Sequence, residues 1–288
     1  MKIRVVAGVA LGAALLAPAP ASAATAPELS GAAVYADDGH RLARYEGGEW
    51  STIAKIGALP QFAVSPDGRK AAWVTDGGDL QVKDGAKTVT AATKLQGGTP
   101  CLTPVWSPDS TQVAYVGKGE TVMAVKADGT GRRRLGTSKG VCHLAWAAGG
   151  RYLAGYTGEA DAVYRLDVKT GKAARGKGVK LVTHVQSLSP NGRNAVVAVP
   201  ADPAALGDGS WPAAFKPAVV DLVTGRQLTP AVKGRLIGAF YLADGRLVVR
   251  VAGGAHNTLV VLDAAGKESQ RIEEPARART QALLQVLP

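Results

Sequence analysis

The sequence predicts an all-β protein, a β-propeller of four-stranded antiparallel blades, six in number and closed into a ring by strands from both termini. Three observations predict it: a turn motif that recurs along the chain, a spacing near forty residues, and no sustained helical periodicity with caps beyond the N-terminal leader. The motif occurs five times, as Phe62-Ala-Val-Ser-Pro-Asp-Gly-Arg69, Pro104-Val-Trp-Ser-Pro-Asp-Ser-Thr111, Leu144-Ala-Trp-Ala-Ala-Gly-Gly-Arg151, Gln186-Ser-Leu-Ser-Pro-Asn-Gly-Arg193 and Ala239-Phe-Tyr-Leu-Ala-Asp-Gly-Arg246. Aligning Val64, Trp106, Trp146, Leu188 and Tyr241 gives steps of 42, 40, 42 and 53 residues, the period of a propeller blade.

Each copy reads as two strands joined by a tight turn. Proline presets φ at the second turn position, and glycine takes the left-handed position that other residues avoid. An apolar run rich in β-formers follows every turn, from Lys70 to Val74, Gln112 to Val116, Tyr152 to Tyr156, Ala195 to Val199 and Leu247 to Val251. These are second strands. A third strand, a turn such as Lys169-Thr-Gly171 or Val223-Thr-Gly225, and a more polar fourth strand complete each blade. The sixth blade is split: Leu42 to Trp50 parallels Leu80 to Thr88 as third and fourth strands, and Thr280 to Leu287 supplies the inner strand. Closure from both ends buries edges that an open array would expose. Five or seven blades also fit the spacing.

Pro104-Val-Trp-Ser-Pro-Asp, then Gln112-Val-Ala-Tyr115 and Val125-Lys-Ala-Asp-Gly-Thr-Gly-Arg-Arg-Arg-Leu135, resemble a TolB-type repeat. The resemblance runs from about residue 30 to the C-terminus. It is strong in the first two repeats and degraded later, where Ala147-Ala148 and Leu242-Ala243 replace Ser-Pro. It implies a propeller related to TolB and to the propellers attached to some peptidases, a fold that hosts many unrelated activities.

The N-terminus has Lys2 and Arg4, an uncharged stretch from Val5 to Ala17, and Ala21-Ser22-Ala23, the pattern of a signal peptide cleaved near Ala23. The expected organisation is a leader over 1–23 and one propeller domain over 24–288, secreted or periplasmic, monomeric and without a membrane span. The formal charge of +11 falls to +9 when Lys2 and Arg4 are removed. That balance suits an anionic cell-envelope partner, a protein or a peptide. Nucleic acid is disfavoured, because the basic residues are not interleaved with exposed aromatics.

Candidate site residues gather at the face formed by the loops between second and third strands and between successive blades. Asp76, Glu120, Glu159 and His256, with Asp202 and Asp208, ring that mouth; they read as solvated loop residues or as ligands for a divalent cation or basic peptide. Cys101 and Cys142 stand 41 residues apart, about one blade period, and an even cysteine count in an exported chain favours a disulfide between neighbouring blades. His184 follows Cys142 by 42 residues with His143 beside the cysteine, so both histidines belong at the channel entrance. A Cys/Cys/His zinc site lacks the usual ligand spacings. Gly136-Thr-Ser-Lys-Gly140 matches a nucleophile elbow, but Ser138 falls between strands, without the strand-to-helix context the elbow needs.

The fourth repeat carries an insertion, Pro200 to Pro217, which brings Trp211 and Phe215 beside the mouth as a lid, as a partner-binding arm, or as a loop folded over its own blade. The functional expectation is a binding scaffold with no catalytic residue and no cofactor. The alternative is a lyase- or lactonase-like enzyme that holds a divalent cation at the mouth.

Overall fold

The computed structural model describes residues 26–57, 61–99, 101–200 and 211–288. The leader at 1–23 and the loop carboxylates Asp202 and Asp208 lie outside them. Six four-stranded antiparallel sheets form a ring. Three strands open the chain, β1 (Ala33–Ala36), β2 (Arg41–Glu46) and β3 (Glu49–Lys55), and belong to blade 6. Blade 1 follows with β4 (Phe62–Val64), β5 (Lys70–Val74), β6 (Leu80–Asp84) and β7 (Lys87–Ala92). Blade 2 has β8 (Val105–Trp106), β9 (Gln112–Val116), β10 (Thr121–Lys126) and β11 (Arg133–Thr137). Blade 3 comprises β12 (Cys142–Trp146), β13 (Tyr152–Tyr156), β14 (Val163–Asp167) and β15 (Lys172–Arg175). In blade 4, β16 (His184–Leu188) and β17 (Asn194–Ala198) precede the insertion, and β18 (Pro217–Asp221) and β19 (Gln227–Leu228) follow it. Blade 5 is β20 (Leu236–Tyr241), β21 (Leu247–Val251), β22 (Thr258–Leu262) and β23 (Glu268–Glu273). The last strand, β24 (Ala282–Val286), returns to blade 6.

The first strand of every repeat lines the channel, and its tight turn opens on one face, called here the turn face. The loops between blades and between second and third strands open on the other, the loop face. In the three turns that begin with serine, the third residue accepts hydrogen bonds from the serine hydroxyl and from the backbone, as Asp67 does from Ser65 Oγ and the Arg69 amide. Asn191 makes the same pair with Ser189 and Arg193. These are Asx-type turns.

The core is divided among the blade contacts. One buried cluster fills each of the six interfaces, for example Ala63, Ala72, Leu80, Trp106, Val113 and Tyr115 between blades 1 and 2. Alanine and valine dominate these layers, so neighbouring sheets pack with few aromatic side chains between them.

Closure sets β24 inside β1, with Ala33 opposite Val286 and Ala36 opposite Ala282. Leu287 bonds back to Ala32 and packs against the first turn, where Gly68 has φ +66° and any Cβ would meet the leucine side chain at 2.8 Å. Glycine answers both demands there.

A buried ion pair ties this closure together. Arg250 of β21 donates from Nε to Glu274 Oε2 at 2.7 Å, and the two side chains are 2% and 0% exposed. Its remaining donors reach Ala278 O (2.7 Å), Gln281 O (2.9 Å) and Ala213 O (2.9 Å). Ala278 and Gln281 belong to the segment that leads into β24, and Ala213 to the insertion. Burial and the neighbouring Glu274 carboxylate push the Tyr35 phenol well above its usual range. Removing one member of a buried pair strands the other charge. Arg250→Met is expected to lower unfolding stability by about 3–5 kcal/mol in urea denaturation, and Arg250→Met with Glu274→Leu to recover part of the loss.

Candidate functional site

The channel has two unlike ends. At the loop face it is closed by side chains drawn from the insertion, β12 and β16. Trp211, half-buried, lies across the opening and donates its indole Nε1 to Phe62 O at 2.9 Å. Blades 1 and 4 are opposite one another in the ring, so this bond spans the channel. His143 and His184 stand beneath the indole at ring-centroid distances of 5.3 and 5.0 Å, and 4.5 Å from each other. Phe215 packs on His184 at 5.6 Å, and its amide bonds to Ile237 O of blade 5. The described end of the insertion therefore runs from blade 1 to blade 5 over the channel. Its aromatic side chains point in.

Local backbone explains how the histidines reach the axis. His143 lies in a β-bulge of β12, between Cys142 and Ala145, with φ +44°. A bulge re-aims side chains, and the left-handed conformation is rare outside glycine and asparagine. Cys142 forms a disulfide with Cys101, Cα to Cα 4.5 Å, which links the approach to blade 2 with the start of blade 3. The His143 amide bonds to Cys101 O in the same place.

Both histidines are neutral by burial. His184 is 1% exposed; burial lowers its pKa to about 4, against the opposing effect of its Nε2 contact with Gln186 Oε1 at 2.8 Å. Burial also holds His143 well below the ordinary histidine range, and nearby His184 adds to the effect. Gln186 in turn donates to Leu283 O of β24, a second bond across the channel.

The other expected residues occupy separate places. Asp76, Glu120, Glu159 and His256 are exposed on loops of blades 1, 2, 3 and 5, and His256 Nδ1 contacts Glu274 O at 3.0 Å. Among the described residues no three of His, Cys, Asp or Glu gather closely enough to hold a metal ion. Ser138 is buried, with its Oγ donated to Gly140 O.

The turn face is open. Behind it lies a cavity of about 590 Å³ whose floor is Trp211 and whose wall includes Val64, Trp106, Trp146, Leu188 and Tyr241. Those five residues are the column by which the repeats align. Sequence reasoning used the column to count blades without recognising it as a wall, and placed the candidate mouth on the loop face.

No protein-family model matches the chain, and no curated protein matches it either. Solved structures do. TolB from Acinetobacter baumannii superposes with a TM-score of 0.56 at 16% identity, over 88% of this chain and 66% of that one. The fold is that of a TolB-like six-bladed propeller. The TolB-like chain spans about two-thirds of the length of that TolB, and the likeness at this identity is one of fold. A chain of the nidogen/laminin complex matches with a TM-score of 0.53 at 12% identity, over 88% of this chain and 99% of that one. An oligogalacturonate lyase in complex with manganese gives 0.48 at 15% identity, over 76% and 70%, too distant to carry an argument.

Two measurements probe the closed end. The unfolded chain binds a proton at His184 near pH 6.5, whereas the folded chain resists until about pH 4. Stability is therefore full above pH 6.5 and declines as the pH falls towards 4. Urea midpoints at pH 7 and pH 4.5 are expected to differ less in His184→Gln than in the native protein. Trp211→Ala removes the crossbar and is expected to cost about 2–3 kcal/mol, read as a lower thermal midpoint.

Proposed function

We propose that this TolB-like propeller is a secreted binding scaffold that admits a peptide segment of a protein partner into its channel from the turn face. The observation that carries the reading is the asymmetry of the channel, capped by Trp211 at one end and open at the other into about 590 Å³ of largely apolar space. Binding pockets are typically concave, preformed and of a few hundred cubic ångströms, with a few polar groups to orient the ligand. Trp146 and Tyr241, both half-buried, supply aromatic area at low entropic cost. Secretion is supported by the leader-like sequence before Ala24 and by the Cys101 to Cys142 disulfide, which suits an oxidising compartment. The nidogen/laminin complex shows a chain of like fold in a protein assembly, which agrees with this use of the scaffold.

The test is capture. Immobilised protein is expected to retain a partner from culture supernatant or envelope extract. Ala148→Trp, a half-exposed position at the cavity's open end, should abolish retention, while Glu159→Ala on the loop face should not. The reverse pattern would place the partner on the loop face and refute the reading.

A further inference from the structure

The chain carries a formal charge of +11, which falls to +9 without Lys2 and Arg4. The turn face presents the opposite. Among the described residues, four charged side chains line its cavity, Asp67, Asp109, Asp244 and Arg246. The single guanidinium is already committed, to Asp244 Oδ2 and to Pro27 O, each at 2.8 Å. Two other turn arginines swing outward: Arg151 pairs with Asp167 at 2.7 Å and Arg193 with Asp221 at 2.8 Å, each carboxylate standing at the end of its blade's third strand. These two guanidinium groups are thereby drawn away from the cavity. The carboxylates stay at the rim of the cavity.

Asp67 and Asp109 are held ionised by their own turns. Burial acts to raise the Asp67 pKa, but the bonds from Ser65 and the Arg69 amide and the charge of Lys70 outweigh it and leave the group below its ordinary value. The Ser107 hydroxyl leads the lowering at Asp109, opposed by slight burial and aided by Thr111. Lys70 lies 3.6 Å from Asp67 and offsets part of its charge. Asp109 makes no ion pair among the described residues. An anionic rim above a wall that includes the half-buried Trp146 is complementary to a cation carried on an apolar body, and the Trp146 indole adds cation–π attraction.

Resting on the reading that the channel admits a peptide, we propose that the peptide is apolar and cationic: aliphatic or aromatic side chains against Trp146 and Tyr241, with lysine or arginine at Asp109 and Asp67. Acidic and neutral apolar peptides are the excluded classes.

Blade 4 supplies the control. Asn191 makes the same turn bonds as the two aspartates without the charge, so Asp67→Asn with Asp109→Asn should keep both turns while neutralising the rim. Binding of rhodamine-labelled, amidated hexapeptides of alternating leucine and lysine, leucine and glutamine, or leucine and glutamate is measured by fluorescence anisotropy on the full chain. The lysine peptide is expected to bind at least about tenfold more tightly than the glutamate peptide at low salt, with the preference falling in 0.5 M sodium chloride. In the double variant, checked by an unchanged thermal midpoint, the preference should fall below about threefold.

Equal binding of the three peptides, or a lysine preference that survives in the double variant, overturns the charge inference. If Ala148→Trp still blocks binding in that case, the channel reading stands alone. Binding unaffected by Ala148→Trp, or none by any peptide, overturns both.

Discussion

The Arg250 and Glu274 pair is the constraint on which the ring depends. A propeller made from tandem blades has no natural end, because each blade presents a face that only another blade can cover. Closure here requires β24 to arrive inside β1 after a short 3-10 turn at Ala276–Thr280, and the carbonyls of Ala278 within it and Gln281 just after it face the buried guanidinium. One guanidinium donates to both, and another of its hydrogens reaches the insertion at Ala213. The charge that makes this possible is itself matched inside the protein by Glu274. The seam of the ring and the cap of the channel therefore share a single side chain. Neither can rearrange without disturbing the other.

That coupling explains why the channel is asymmetric. Six similar blades alone would give a pore with two comparable mouths. The insertion in blade 4 breaks the equivalence by laying Trp211 against the opposite blade, above two histidines that burial keeps uncharged. The disulfide and the bulge at His143 brace the same end from blades 2 and 3. What remains accessible is the face built by the repeats' own turns, where proline, aspartate and the aligned apolar column meet.

Much of the fold was legible because its determinants are local and repeated. Ser65-Pro66-Asp67-Gly68 and its copies specify a turn, the apolar runs after them specify strands, and forty-odd residues specify a blade; the split sixth blade followed from Leu42 to Trp50 and Thr280 to Leu287. The pairing of Cys101 with Cys142 was legible for the same reason, a separation of about one period in the chain. The open mouth was not legible. It depends on a bond between Trp211 and Phe62, 149 residues apart, and no pattern within one repeat encodes which way an insertion folds. Arg250 and Glu274 were hidden similarly, since one interrupts an apolar strand and the other follows a polar one. The cavity wall was visible all along in Val64, Trp106, Trp146, Leu188 and Tyr241, but as a ruler for spacing.

Trp211 also has a mechanical meaning. A ring of sheets held only by contacts between neighbours can breathe, since small changes at six interfaces add to a change in bore. A strut from blade 4 to blade 1, with Gln186 to Leu283 as a second chord below it, removes the softest of those motions. The vessel keeps its width at the base whether or not anything enters, and whatever adjustment a guest demands must be made at the rim.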